Sequence, residues 1–230
     1  MSRTVSDPSP LRGGGHVTVP GLRERKKQAT RRAIQQAALR LVAERGLDKV
    51  TVEEIAAVAD VAPRTFFNYF STKEEALLGR DPDKQAALVA ALADRPADED
   101  PVTAMHAVLV AQADDMASRA DDWQLRMRLV NDYPQLMPSH LAGFAEGERA
   151  MAEAVAARTG VPREQSLYPD LVASVAIAAM RTAMARWRTT DGSQPLADHI
   201  DEAFRLLAAG LPVPETATPL RPRRRTGEQK

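Results

Sequence analysis

The chain of 230 residues has no cysteine, only 4% aromatic residues and no net charge, with 31 Lys+Arg balanced by 31 Asp+Glu. Without cysteine there can be no disulfide scaffold, iron–sulfur cluster, thiolate zinc site or cysteine nucleophile. The four histidines, His16, His106, His140 and His199, are too dispersed for a metal-ligand motif. A Gly-x-Ser-x-Gly elbow is also missing. Enzyme readings thus lack their parts, and no cofactor or metal is expected. Long hydrophobic runs are missing too: the best, Leu171 to Met180, is interrupted by Ser174 and stopped by Arg181, short of a membrane span. Met1 to Pro10 holds no hydrophobic stretch that would suit a secretory signal. A soluble cytoplasmic protein is expected, with 44% hydrophobic residues available for a core.

Zero net charge would ordinarily argue against a polyanionic partner, but it is a cancellation. Residues 1–80 carry a net charge of +5, residues 81–218 carry −9 and residues 219–230 carry +4. The first 50 residues alone hold +7. Such segregation permits one end of the chain to meet phosphate while the acidic part stays away from it.

Residues 1–21, with Pro8, Pro10, Gly13, Gly14, Gly15 and Pro20, read as a disordered arm. The three glycines have no Gly-Lys-Ser/Thr after them and are not a phosphate loop. From Leu22 the pattern becomes helical: Ile34, Ala37, Ala38, Leu41 and Val42 recur at three- and four-residue spacing, and Arg45-Gly46 supplies a stop. Thr51-Val-Glu-Glu54 reads as a capping box opening a two-turn helix with Val52, Ile55, Ala56 and Ala59 on its apolar stripe. Asp60 and Val61 break it. Pro63 then suits the first position of another short helix, Arg64 to Phe70, and Ser71-Thr72-Lys73-Glu74 reads as a second capping box before Leu77 and Leu78.

Two short helices joined by a three- to four-residue turn form a helix-turn-helix unit. Its second helix would enter the major groove with Pro63, Arg64, Thr65 and Asn68 toward base edges. Arg64 can bond guanine through two donors, Thr65 a thymine methyl or phosphate, and Asn68 adenine. Tyr69 can donate to phosphate, and Lys73 adds a cation at a helix start. Phe66 and Phe70, four apart, are expected on the buried face, with Phe67 against flanking helices. Arg23, Arg25, Lys26, Lys27, Arg31 and Arg32 crowd the start of the first helix, where positive charge opposes the helix dipole unless an external anion is present. Arg25, Lys26 and Lys27 are therefore taken as phosphate contacts.

Residues from about Gln28 to Leu78 resemble the DNA-binding domain of TetR-family bacterial transcriptional regulators. The likeness is carried by Ala37-Leu39-Leu41-Val42-Ala43-Glu44-Arg45-Gly46, Thr51-Val52-Glu54-Ile55-Ala56, Val61, Thr65-Phe66-Phe67-Asn68-Tyr69-Phe70 and Lys73-Glu74-Leu77. The resemblance implies DNA contacts at Thr51, Arg64, Thr65, Tyr69 and Lys73. It also implies a homodimer on a palindromic operator, most simply a repressor. The sequence departs from the family pattern at Asp60, where glycine is usual, and at Ala62, where a serine cap is usual.

The rest of the chain also reads helical, in segments 83–94, 102–119, 122–131, 139–159, 167–188 and 196–209, with breaks that include Pro134 and Pro138. No β-type alternation occurs. The expected architecture is all-α: a helix-turn-helix DNA-binding domain over 22–79, then a larger helical ligand-binding and dimerisation domain over 80–211, and a basic disordered tail over 212–230. Small residues of 167–188 (Ala173, Ala176, Ala178, Ala179, Ala183) and the stripe Ile200, Ala203, Phe204, Leu207 would form either a four-helix interface between subunits or intrachain core. Trp123, Met127, Tyr133, Met137, Phe144, Met180 and Met184 are the candidate lining of an apolar ligand pocket, methionine being adaptable. Arg126, Arg181 and His140 could meet an anionic group. Around Arg64 to Gly79 the sequence is similar to the branch of the family with acyl-CoA-like effectors, which implies a small apolar or acyl-CoA-like ligand. The rival from another class is an all-helical carrier of an apolar metabolite with nonspecific affinity for nucleic acid, and a third reading is a DNA-binding regulator without a small ligand.

Overall fold

The computed structural model describes residues 21–190 and 194–211, so the expected arm over residues 1–21, Gly21 apart, and the tail over 212–230 lie outside the described residues. Eleven α-helices are described and no strand occurs among these residues, so the all-α expectation holds. Helix α1 (Leu22–Arg45) buries Ile34, Ala37, Ala38, Leu41 and Val42 along one face. It stops at Gly46, whose φ of 90° disfavours any residue with a Cβ and whose N–H returns to the Val42 carbonyl. After a 3₁₀ turn come α2 (Val52–Val58), α3 (Pro63–Phe67) and α4 (Lys73–Leu78). The larger part holds α5 (Pro82–Ala93), α6 (Pro101–Ala111), α7 (Ala113–Ala117), α8 (Ala120–Asp132), α9 (Met137–Thr159), α10 (Tyr168–Trp187) and α11 (Leu196–Ala208).

Four local expectations change. The helix expected to run to Phe70 closes at Phe67, where the Asn68 N–H bonds to the Thr65 carbonyl and the Tyr69 N–H to the Phe66 carbonyl in tight turns. The segment 102–119 divides at Gln112, whose N–H bonds to the Leu109 carbonyl in a tight turn between α6 and α7. Pro138, expected to break the chain, lies in the first turn of α9, where its missing N–H has no intrahelical partner to lose. The second capping motif is shifted by one residue: Thr72 is the cap and accepts from the Glu75 N–H, while the Glu75 carboxylate accepts from the Ser71 N–H.

Two cores organise the chain. The first is built on Ile34, Leu41, Ile55, Phe66, Phe70 and Leu77, each 3% exposed or less, and extends beyond the helix-turn-helix segment to Leu129 and Val130 of α8 and to Leu136. The second joins α5, α6, α9, α10 and α11 through residues such as Met105, Val155, Ala176, Ile200 and Phe204. Ala173, Ala176, Ala183, Ile200 and Phe204 are therefore used as packing inside one chain. These small residues let α10 lie close against α9 and α11, while Ala178, Ala179, Ala203 and Leu207 of the same two helices are only partly buried. Among the described residues no helix is long and apolar enough to cross a membrane.

Candidate DNA interface and adjoining cavity

The turn between α2 and α3 depends on Asp60, which adopts φ 55°, a conformation its short polar side chain tolerates better than most. Helix α2 starts at Thr51 with a complete capping box: the Thr51 hydroxyl accepts from the Glu54 N–H at 3.2 Å and the Glu54 carboxylate accepts from the Thr51 N–H at 2.9 Å. That backbone bond, with the Thr51 hydroxyl and Arg45, holds the Glu54 carboxyl below its ordinary value against a smaller opposing effect of burial. Helix α3 begins at Ala62 without any side-chain cap.

On α3, Phe66 and Phe70 face inward, fully buried. Phe67, expected against the flanking helices, is instead 56% exposed. The helical period explains the difference, since one residue turns the side chain by about 100° away from the Phe66 face. Phe67 keeps one edge-on contact with Phe66 at 5.5 Å and lies three residues from Arg64. Pro63, Arg64 and Asn68 are exposed beside it, and Thr65 is half-buried. An exposed aromatic among these polar groups can meet a thymine methyl, a possibility that an inward-facing reading of Phe67 concealed. Tyr69 is half-buried, its ring 5.6 Å from the Arg31 guanidinium carbon.

Lys73 is directed inward: its Nζ donates to the Leu47 carbonyl at 2.8 Å and to the Val50 carbonyl at 2.9 Å, leaving one proton for any other partner. Arg25 and Lys26 are exposed, whereas Lys27 pairs with Asp83 of α5 at 2.7 Å, and this hydrogen bond raises the Lys27 pKa. The polar face of α1 continues to grip the start of the larger part, with Arg31 and Gln35 both donating to the Arg80 carbonyl.

At this junction lies a cavity of about 560 Å³. Trp123 and Met127 of α8, Phe144 of α9 and Met180 and Met184 of α10 form its apolar walls. Arg32, Gln35 and Gln36 of α1, and Leu78 at the end of α4, border it from the DNA-binding side. Tyr133 and Met137 are not among the lining. Both pack against the first core, and the Tyr133 hydroxyl lies over Gly46, because α8 ends there and turns their side chains toward α1.

Arg126 is the central cation of the cavity. Its Nε donates to the Leu77 carbonyl at 2.6 Å. Burial lowers its pKa, Asp122 opposes that shift and Arg119 adds to it, yet a guanidinium stays charged at neutral pH. His140 is pushed below its ordinary value by burial and then by Arg126, so it faces the cavity as a neutral imidazole at pH 7. Arg181 lies 5.6 Å from the Phe144 ring. Gly79 allows the Arg126 clamp: its φ is 72°, and a Cβ there would fall 2.5 Å from the guanidinium carbon. Gly79→Ala is expected to cost about 1–2 kcal/mol from backbone strain and the displaced arginine. A lowered urea midpoint at unchanged slope would record that loss.

Comparison with known proteins agrees with this layout. The family model described as bacterial regulatory proteins, tetR family, matches residues 34–78, and that of the MftR C-terminal domain matches residues 99–212. The HTH-type transcriptional regulator TcmR of Streptomyces glaucescens is 37% identical over 178 residues, covering 73% of this chain and 77% of TcmR. The chain belongs to the TetR family. A second relative of this TetR-family regulator, named in Mycobacterium tuberculosis for mycofactocin biosynthesis regulation as MftR, is 27% identical over 187 residues, covering 81% of this chain and 93% of MftR. A solved Clostridium perfringens protein described as a fatty acid metabolism regulator shares the fold, with a TM-score of 0.53 at 17% identity over 79% of this chain and 100% of that one. The TetR-family regulator is thus a helix-turn-helix DNA-binding protein with a larger helical C-terminal domain, and its relatives are transcriptional regulators and not enzymes.

Proposed function

We propose that this TetR-family regulator is a cytoplasmic homodimeric repressor that binds a palindromic operator and is released by an apolar effector carrying an acidic group. An acyl-CoA-like molecule falls within that class. The observation that carries the reading is the sharing of α8 between cavity and DNA-binding core. Trp123, Arg126 and Met127 line the cavity, and Leu129 and Val130, the next residues inward, are buried among α1 and α4. An effector that moves α8 therefore moves the helix-turn-helix unit. Arg126 offers it a half-buried positive charge, and the methionine and aromatic walls offer it apolar contact.

Pro63, Arg64, Thr65, Phe67 and Asn68 read bases, while Arg25, Lys26, Lys27, Thr51, Tyr69 and Lys73 approach phosphates. A single recognition helix buries too little surface for tight specific binding. Two copies on half-sites about 34–36 Å apart read successive major grooves. The subunits meet through the outward face of α10, where Tyr168 and Leu171 are left exposed. A change in the spacing of the two recognition helices needs a coupling of only ~1–3 kcal/mol to alter occupancy. The test is operator binding, followed by fluorescence anisotropy, with decanoate added. Progressive release in the wild type that is lost in Arg126→Gln supports the reading, and release indifferent to Arg126 contradicts it.

The Lys27–Asp83 pair adds a second expectation. Asp83 holds a cation assigned to phosphate, so Asp83→Asn is expected to tighten operator binding roughly twofold to fivefold at low salt. In a Lys27→Ala background the same change is expected to do nothing, which a double-mutant cycle measures.

A further inference from the structure

Beside the main cavity lies a second of about 250 Å³, and Arg32, Met116 and Arg119 form part of both walls. Three cations from three parts of the chain converge there on one carboxylate. Asp115 receives Lys84 of α5 at 2.8 Å, Arg32 of α1 at 3.6 Å and Arg119 in a close ion pair. The neighbouring carboxylates are engaged elsewhere: Asp83 by Lys27 and Gln28, and Asp122 by Gln36 with Arg126 nearby. Burial, and then repulsion from Arg119 and Arg32, work against the Lys84 charge, with Asp115 opposing them. Burial also works against ionisation of Asp115, but Lys84, Arg119 and Arg32 together outweigh it and lower its pKa. The cluster keeps an excess of two positive charges in a recess large enough for a tetrahedral oxyanion.

We propose that Arg32, Lys84 and Arg119 form a seat for a phosphate-type dianion, opening onto the apolar cavity through their shared wall. An effector whose apolar body lies along Met127 and Met180 would place a phosphate group there, ion-pairing with Lys84 and Arg119 while Asp115 gives up part of its hold. Because Arg32 belongs to α1 and Lys84 to α5, the same anion would tie the DNA-binding helices to the larger domain. This assignment rests on the effector reading for its apolar half only, since the seat itself is made of cations that free phosphate can also occupy.

The test is calorimetric titration of the full chain with decyl phosphate, 1-decanol and inorganic phosphate, each below any micelle threshold. Decyl phosphate is expected to bind roughly tenfold tighter than 1-decanol, and this advantage is expected to fall to about threefold or less in Lys84→Met. Asp115→Asn removes the competing carboxylate and is expected to tighten decyl phosphate and inorganic phosphate alike. General damage to the fold would weaken both ligands in both variants. If the two decyl ligands fail while inorganic phosphate still binds in a Lys84-dependent way, the seat stands and the effector reading falls. If 1-decanol binds as well as decyl phosphate, or if no form of phosphate depends on Lys84, the seat is overturned, and the Arg126-dependent release by decanoate judges the effector reading separately.

Discussion

Truncating Phe66 to alanine is expected to cost about 3–5 kcal/mol of stability, the largest loss of any single substitution considered for the DNA-binding segment. Phe66 is fully buried in the core that residues of α1, α2 and α4 share, and its ring lies beside those of Phe67 and Phe70. Helix α3 has only five residues and no side-chain cap, so backbone hydrogen bonds alone cannot hold it. Its conformation depends on the two aromatic anchors, and a cavity the size of a phenyl ring would release it. Urea unfolding followed by circular dichroism measures the loss, and operator binding should fail at temperatures where the wild type still binds. Phe67→Ala is the matched control. Removing a side chain that is 56% exposed should shift stability by about 0.5 kcal/mol or less, while weakening DNA binding through the lost apolar contact.

Arg64→Ala is expected to remove about 1–3 kcal/mol of discrimination between operator and scrambled DNA, with little effect on nonspecific binding. Arg64 stands exposed on the first turn of α3, where its guanidinium can present two donors to one base edge. Tyr69→Phe should behave differently. Tyr69 is half-buried against Arg31, and losing its hydroxyl should weaken binding to all sequences about equally. Titration of both variants against matched and mismatched duplexes separates the two roles. An Arg64→Ala protein that keeps the full sequence preference would remove Arg64 from base reading.

Much of the DNA-binding fold was legible because its signals are local. The Gly46 stop, the Thr51 box, the strained turn at Asp60 and the uncapped start at Ala62 each depend on residues within four positions. The errors arise where local chemistry is degenerate or the partner is distant. Ser71 and Thr72 can each cap a helix, and consecutive Glu74 and Glu75 fit either register, so only the fold selects Thr72. Helical spacing showed that Ile200 and Phe204 share a face, and only the packing of α11 against α6 and α10 puts these two side chains in the core of one chain. In the cavity, five apolar candidates converge because α8, α9 and α10 happen to face one another. Tyr133 and Met137 have the same chemistry but sit past the end of α8, beside α1. Arg126 looked equivalent to Arg181 in sequence, and its bond to the Leu77 carbonyl spans 49 residues. No local pattern reports a contact of that range.

Sequence-specific recognition by α3 is tested most directly by one titration. The full chain is added to a labelled palindrome from the upstream region of its own gene, and to a scrambled duplex of the same length, at several salt concentrations. The predicted result is a preference of at least roughly 10³ for the palindrome with two chains per duplex, and a salt dependence on both duplexes that reflects phosphate contacts. Equal affinity for palindrome and scrambled duplex at every salt concentration would contradict it.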